Sequence, residues 1–183
     1  LVDLDRLRDA LRQPTALVAA MLVNNEIGVI QPIAEIASLA HDAGALMLCD
    51  GVQGFGRIAI PDGPDLVAVS AHKIHGPKGI GALWIREGVK VAPLLHGGGQ
   101  EKGLRSGTLS PMLCAGFGAA AALAKTQTDD EAHIETLWRA ALDALGPGWI
   151  INGSLERRYH GNLNVRREGL DSARLLADCR QVA

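Results

Sequence analysis

Apolar and polar positions follow two rhythms along this chain. Four short runs, over 16–23, 45–49, 65–70 and 80–85, are almost continuously apolar, the pattern of strands buried on both faces. Between the first two, apolar residues recur at helical spacing from Pro32 to Ala43. Proline suits the first helical position, and Gly44 just past the last marks a stop. An earlier helix is expected over 3–11, with Asp3 as its N-cap and apolar residues at 4, 7 and 11. Strand, helix and strand at this spacing predict an α/β fold, a mainly parallel sheet with covered faces.

After about residue 110 the texture changes. Met112 to Lys125 reads as an alanine-rich helix, 126–130 breaks it, and Glu131 to Leu145 is an amphipathic helix stopped by Gly146-Pro147-Gly148. Two short β-like pieces follow, Trp149 to Asn152 and Asn162 to Val165, and a last helix begins near Asp171. The expected division is 1–125, part of a large domain, and 126–183, the start of a small α+β domain. The chain opens on LVDLDRLRDAL, already in a helical pattern and without Met, and ends on LLADCRQVA without a turn signal. It therefore reads as part of a longer polypeptide.

Composition narrows the classes. Hydrophobic residues are 48% and charged ones 21% of 183 residues, and the net charge is −2, so neither disorder nor a nucleic-acid or anionic-membrane partner is indicated. No apolar stretch approaches the roughly 18 residues of a membrane span. The three cysteines, at 49, 114 and 179, have no CxxC spacing. They suggest neither a zinc site nor a disulfide framework, and the expectation is a reduced, cytoplasmic protein.

In open α/β sheets, ligands bind beyond the carboxyl ends of the strands. Here those ends carry Asn24-Asn25-Glu26, then Asp50 with Gln53 a turn later, then Ser70-Ala71-His72-Lys73. A lysine at the end of a buried strand can be partly desolvated and so keep a neutral, nucleophilic fraction. Lys73 fits that role, and the glycines at 76, 79 and 81 would let the backbone pass close to a planar ligand. Lys73 reads equally as a surface residue of a Gly-Pro turn, with Lys78 as a competitor. Asp50 suits a protonated pyridine nitrogen, or simply a turn; Gln53 and Asn25 suit a phenolic oxygen, or an ordinary loop. Ser70 and His72 flank the lysine, as donors to a phosphate or as groups packed over a ring. A metal held by His72 and His75 lacks a third ligand. The segment HGGGQEKGLRSGT, 96–108, sets Arg105, Ser106 and Thr108 beside a glycine run, which suits phosphate or carboxylate binding.

VNNEIGVIQPI, CDGVQGFGRI, SAHKIHGPKGIGAL and HGGGQEKGLRSGT, in this order, resemble the class V aminotransferases, and within them the NifS- and IscS-type cysteine desulfurases. The resemblance covers 1–125 strongly and 126–183 mainly through NLNV and the helix after it. It implies the fold type I of pyridoxal-phosphate enzymes, with Lys73 carrying the cofactor as a Schiff base and moving protons. It implies Asp50 on the pyridine nitrogen, Asn25 and Gln53 on the phenolic-oxygen side, and Ser70 and His72 on the phosphate, with His72 also close to Lys73. Thr108 would reach the phosphate of the partner subunit's cofactor in a homodimer. The implied reaction takes sulfur from L-cysteine, leaving L-alanine and an enzyme persulfide for a sulfur-acceptor or scaffold protein, in iron–sulfur cluster assembly or tRNA thiolation. The family's nucleophilic cysteine is expected on a loop beyond LLADCRQVA, so that role is not carried to Cys179, and Cys49 and Cys114 read as small buried hydrophobes. With the family's N-terminal region also missing, cofactor binding by these residues alone is expected to be weak. A selenocysteine lyase or another lyase of the same fold would keep Lys73 and Asp50, and a catalytically incompetent segment or scaffold stays open as the non-enzymatic reading.

Overall fold

A computed structural model describes residues 1–126 and 130–179. Helix α1 (Leu4–Ala10) starts where Asp3 accepts from the amides of Asp5 and Arg6, the cap that its sequence predicts. Strand β1 (Leu17–Met21) leads into helix α2 (Ile33–Asp42), then β2 (Leu46–Asp50), β3 (Leu66–Ser70) and β4 (Gly81–Ile85). Pro32 caps α2 from just outside rather than occupying its first turn.

The four strands form one sheet in the order β1-β2-β3-β4. The first two pairings are parallel, with Met21 opposite Asp50 and Asp50 opposite Ala68. The third is antiparallel, Ser70 facing Gly81. The ten-residue stretch after β3 is too short for a helical crossover, so β4 returns along its neighbour.

Side chains alternate across the sheet. Met47, Cys49 and Val67 pack with Ile33, Ile36, Ala37 and Ala40 of α2 into the buried core, and Val18, Ala20 and Val69 lie against it. On the opposite face Leu17 and Ala19 are exposed and Leu46 and Leu48 are half-buried. Within this chain α2 covers one face of the sheet, while the other is open along β1 and β2.

Asp65, just before β3, is buried. Its carboxylate accepts from the Met47 amide at 2.7 Å and pairs with His41 of α2 at 2.8 Å and Arg86 at 3.4 Å. These contacts tie α2, β2 and the end of β4 together at the amino end of β3.

Helix α3 (Pro111–Thr126) packs on the turn after β3. Helix α4 (Asp130–Leu145) follows, and β5 (Ile150–Ile151) and β6 (Val165–Arg166) pair as a short antiparallel ladder. The expected β-piece over 162–165 is shifted: the ladder takes Val165 and Arg166, and only the Asn164 carbonyl extends it, accepting from the Asn152 amide at 2.9 Å. Asp171 caps the last helix, α5 (Ser172–Asp178). The expected break over 126–130 falls largely on residues 127–129, outside those described.

The second part of the chain is knitted to the first around Arg158, which is 6% exposed. Its guanidinium donates to the carbonyls of Asn152, Ser154, Ile27 and Asn162. It also lies 4.7 Å from the Trp138 ring centre, whose other neighbour His160 stacks at 4.6 Å between centroids. Burial lowers the Arg158 pKa below the ordinary value, yet carbonyl acceptors and an aromatic face are what a buried guanidinium needs.

Candidate functional site

The carboxyl ends of β1, β2 and β3 open on the same edge of the sheet, and the expected strand-end residues gather there. Asp50 closes β2. Its Oδ1 accepts from the Val52 amide at 3.0 Å, an Asx turn, and its other carboxylate oxygen has no partner among the described residues. Gln53 lies half-buried in the turn that follows.

β3 ends at Ser70, and Lys73 sits three residues later in a 3-10 turn, Ala71–Ile74, rather than on the strand. The turn is fixed by the burial of Ala71 and Ile74 and stopped by His75 in the left-handed region at φ 65°. Lys73 is half-buried, and its amine makes no hydrogen bond or ion pair with a described residue. Ser70 Oγ stands 2.8 Å from His72 Nδ1, so hydroxyl and imidazole form one polar unit beside the lysine.

Beyond β1, Asn24 folds the turn: its Oδ1 accepts from the amides of Glu26 and Ile27, each at 2.9 Å. Asn25 is exposed, with its side-chain amide unengaged among the described residues.

Thr108 is not joined to this group by any hydrogen bond. It is exposed in the loop that follows β4. That loop is braced by Gln100 Oε1 accepting from Gly107 and by a bridge between Leu95 and Arg105. Two glycines read as making room for a ligand have another cause. A Cβ on Gly76 would meet the Ala71 carbonyl oxygen at 2.9 Å, and one on Gly81 the Val69 oxygen at 2.6 Å, so both permit the backbone's own close approach.

Two clefts lie elsewhere, one of about 720 Å³ beside Phe55, Val67, Val69 and Trp84, the other of about 660 Å³ beside Arg57, Glu135 and His160. Neither includes Asp50, Lys73 or Asn25. The strand-end group is an open half-site, exposed above the sheet edge. No group of three His, Cys, Asp or Glu able to hold a metal occurs among the described residues.

Sequence reasoning missed Arg57, whose guanidinium donates to the Lys73 carbonyl at 2.9 Å. It also missed Asn162 and Asn164, which donate to the carbonyls of Asn25 and Glu26. The GR pair in CDGVQGFGRI and the asparagines of NLNV were visible signals, but contacts spanning 137 and 138 residues leave no local pattern.

A family model described as aminotransferase class-V matches residues 1–179. The chain belongs to the class V aminotransferase family. It is 46% identical to a mitochondrial cysteine desulfurase of Saccharomyces cerevisiae, matching with its whole length 38% of that protein. It is 41% identical to the cysteine desulfurase IscS of Rickettsia bellii, again over its whole length and 47% of the relative. Among solved structures, a NifS-like protein from Rickettsia africae superposes with a TM-score of 0.87 at 32% identity, over 98% of this chain and 52% of that one. The fold is therefore that of the NifS-like members of the class V aminotransferases, the fold type I expected from the motifs, and the chain spans less than half the length of these curated relatives. No helix among the described residues is long and apolar enough to cross a membrane.

Proposed function

We propose that this class V aminotransferase chain is the lysine-bearing part of a pyridoxal-phosphate-dependent cysteine desulfurase, acting on L-cysteine to give L-alanine and a persulfide. The observation that carries the reading is the strand-end set itself: a carboxylate oxygen, a lysine amine and a serine–histidine pair at or just beyond the carboxyl ends of the neighbouring strands β2 and β3, none engaged elsewhere among the described residues.

The chemistry of that donor set fits pyridoxal phosphate. Asp50 offers an anion to a protonated ring nitrogen, Lys73 a primary amine to the carbonyl carbon, and Ser70 with His72 donors to the phosphate. Asn25 and Gln53 offer amides to the phenolic oxygen. When bound, the group supplies an electron sink for charge developing on the substrate's carbons.

The chain's own residues then do the following. Asp50 would keep the ring nitrogen protonated, its Oδ1 steadied by the Val52 amide. Lys73 would take up and return protons at its Nζ while its amine is free. His72 holds its place through Ser70 and keeps a second proton carrier near that amine. The 3-10 turn fixes where Lys73 can reach, since Ala71 and Ile74 anchor it in the core.

None of the three cysteines is assigned the persulfide. Cys49 is fully buried and its thiol is pushed up to about 11, first by burial and then by neighbouring Asp50, which removes the reactive thiolate. Thr108, exposed in its loop, is assigned to the phosphate of a partner subunit's cofactor in a homodimer. A sulfur-acceptor or scaffold protein takes the product, and a reducing compartment such as the cytoplasm suits the unpaired cysteines. The division into a large domain, 1–125, and a small one, 126–183, is part of the same proposal.

The test is the absorbance spectrum of the chain with added pyridoxal phosphate, for wild type and Lys73→Ala, followed by borohydride reduction. A band near the visible edge that becomes covalent only when Lys73 is present supports the assignment. Equal labelling of both proteins overturns it, and no band in either overturns cofactor binding by this chain.

A further inference from the structure

Four consecutive carbonyls of the turn after β1 are held by one distant segment. Asn25 accepts from Asn162 Nδ2 at 3.1 Å, Glu26 from Asn164 Nδ2 at 3.1 Å, and Ile27 from Arg158 at 3.0 Å. Gly28 accepts from the Tyr159 amide at 2.8 Å, and the Ile30 amide donates back to Arg157 at 2.9 Å. A turn closed by Asn24 alone would need none of this. The side chains doing the holding are themselves fixed: Asn164 Oδ1 accepts from Asn152 Nδ2 at 2.7 Å, which obliges its own amide nitrogen to face Glu26. Asn162 is packed in as well, with its Oδ1 buried and unpartnered.

The division of labour at Asn25 gives this clasp a purpose. Its backbone oxygen is taken by Asn162, while its side-chain amide is exposed and unengaged among the described residues. A residue held by its main chain and free at its side chain is arranged to present that side chain to a ligand, because the ordering cost of the turn is met before the ligand arrives. We infer that Asn162 and Asn164, in the second part of the chain, are positioning residues that set the amide of Asn25 against the cofactor's phenolic oxygen. This rests on the proposed reading of Asn25 as a ring contact. It makes the region after α4 part of the site's architecture: the segment that carries NLNV shapes the site from behind.

The experiment uses Asn25→Ala, Asn162→Ala, Asn164→Asp and the double variant Asn25→Ala/Asn164→Asp, read in two ways. Asn164→Asp keeps the acceptor that faces Asn152 but loses the donor to Glu26. Hydrogen exchange of the protein without cofactor reports the clasp: faster exchange over 24–30 in Asn162→Ala and Asn164→Asp is expected, and unchanged exchange there overturns the inference. The pH midpoint of the cofactor's visible band in the loaded protein reports the phenolic oxygen. Loss of a donor leaves that oxygen more basic, so Asn25→Ala raises the midpoint by about half a pH unit, the worth of one neutral hydrogen bond. Asn164→Asp raises it less, and adds nothing in the double variant, because it acts through Asn25. A shift from Asn164→Asp that persists undiminished in the double variant overturns the positioning role. If Asn25→Ala leaves the midpoint where it was, the reading of Asn25 fails and the inference with it; exchange over 24–30 then tells whether the clasp itself was also wrong.

Discussion

The Arg57 guanidinium donates to the backbone carbonyl of Lys73 at 2.9 Å, while its other neighbour is the Tyr159 ring, 5.7 Å from the guanidinium carbon to the ring centre. One exposed arginine thus links the turn after β2, the turn that carries the lysine and the segment beyond α4. Since Ile74 anchors the lysine turn from below, Arg57 constrains it from the solvent side.

Replacing Arg57 with Ala removes one hydrogen bond and a long cation–ring contact, both exposed, so stability should fall by no more than about 1 kcal/mol. The larger effect is expected locally, as faster hydrogen exchange over 71–76 and a lower yield of covalent Lys73 adduct after borohydride reduction. Arg57→Lys should restore little of either, because an ammonium lacks the planar fork that spans both neighbours. Unchanged exchange over 71–76 in Arg57→Ala would rule out this constraint.

Asp65 gives a pH dependence. Burial by itself pushes its carboxyl up, but the Met47 amide, the His41 ring and the Arg86 guanidinium together outweigh that and hold it below the ordinary carboxylate value. A carboxylate depressed in the folded state contributes stability above its unfolded pKa of about 4, and loses it as pH falls through the lower folded value. Asp65→Asn should cost about 1–3 kcal/mol near neutrality. In urea titrations the gap between wild type and variant should narrow as the pH is brought below 4. A gap that widens on acidification would contradict the sign.

The elements legible from the sequence were those whose signal is local. Apolar runs located all four strands of the sheet, and Asp3 and Asp171 announced helices they do cap. Asp50, Ser70, His72 and Lys73 stood out as polar residues at the ends of apolar runs, and the parallel pairing of β1, β2 and β3 puts those ends at one edge of the sheet. What stayed hidden was direction and distance. An apolar run over 80–85 reads the same whichever way it pairs, so the antiparallel β4 was not anticipated. Nor does a run reveal whether both faces are covered; Leu17 and Ala19 lie open because only α2 packs on this part of the sheet. Asn162 and Asn164 read only as part of a short β-like piece and Arg158 drew no reading, since the turn carbonyls they hold are more than 100 positions away.

The cysteines should separate cleanly by thiol reactivity. Cys179 is exposed, Cys114 is half-buried and Cys49 is buried with its thiol near 11, so at pH 8 roughly one Cys49 in a thousand is a thiolate even before access is considered. A thiol-reactive dye should give a fast phase that Cys179→Ser abolishes, and Cys49 should react only in denaturant. Rapid labelling of Cys49 in the native protein would mean that the core between β2 and α2 opens readily.

Gly56 and Gly44 form a matched pair that isolates close packing beneath the lysine turn. Both have positive φ, 75° and 74°, so alanine at either should cost about 1 kcal/mol for the backbone alone. At Gly44 nothing lies within 4 Å of an added Cβ, and that cost should be the whole effect. At Gly56 the added atom would meet Ile74 Cγ2 at 2.8 Å and Ala124 Cβ at 2.9 Å, forcing α3 and the Lys73 turn apart. Overpacking of this kind adds about 1–3 kcal/mol, so the urea midpoint of Gly56→Ala should fall well below that of Gly44→Ala with similar slopes. Ile74 neighbours Lys73 in sequence, so Gly56→Ala should also reduce the covalent Lys73 adduct while Gly44→Ala leaves it intact. Equal midpoints for the two variants would show that Ile74 and Ala124 can give way, and that the close seat of α3 under the turn does not fix where the lysine stands.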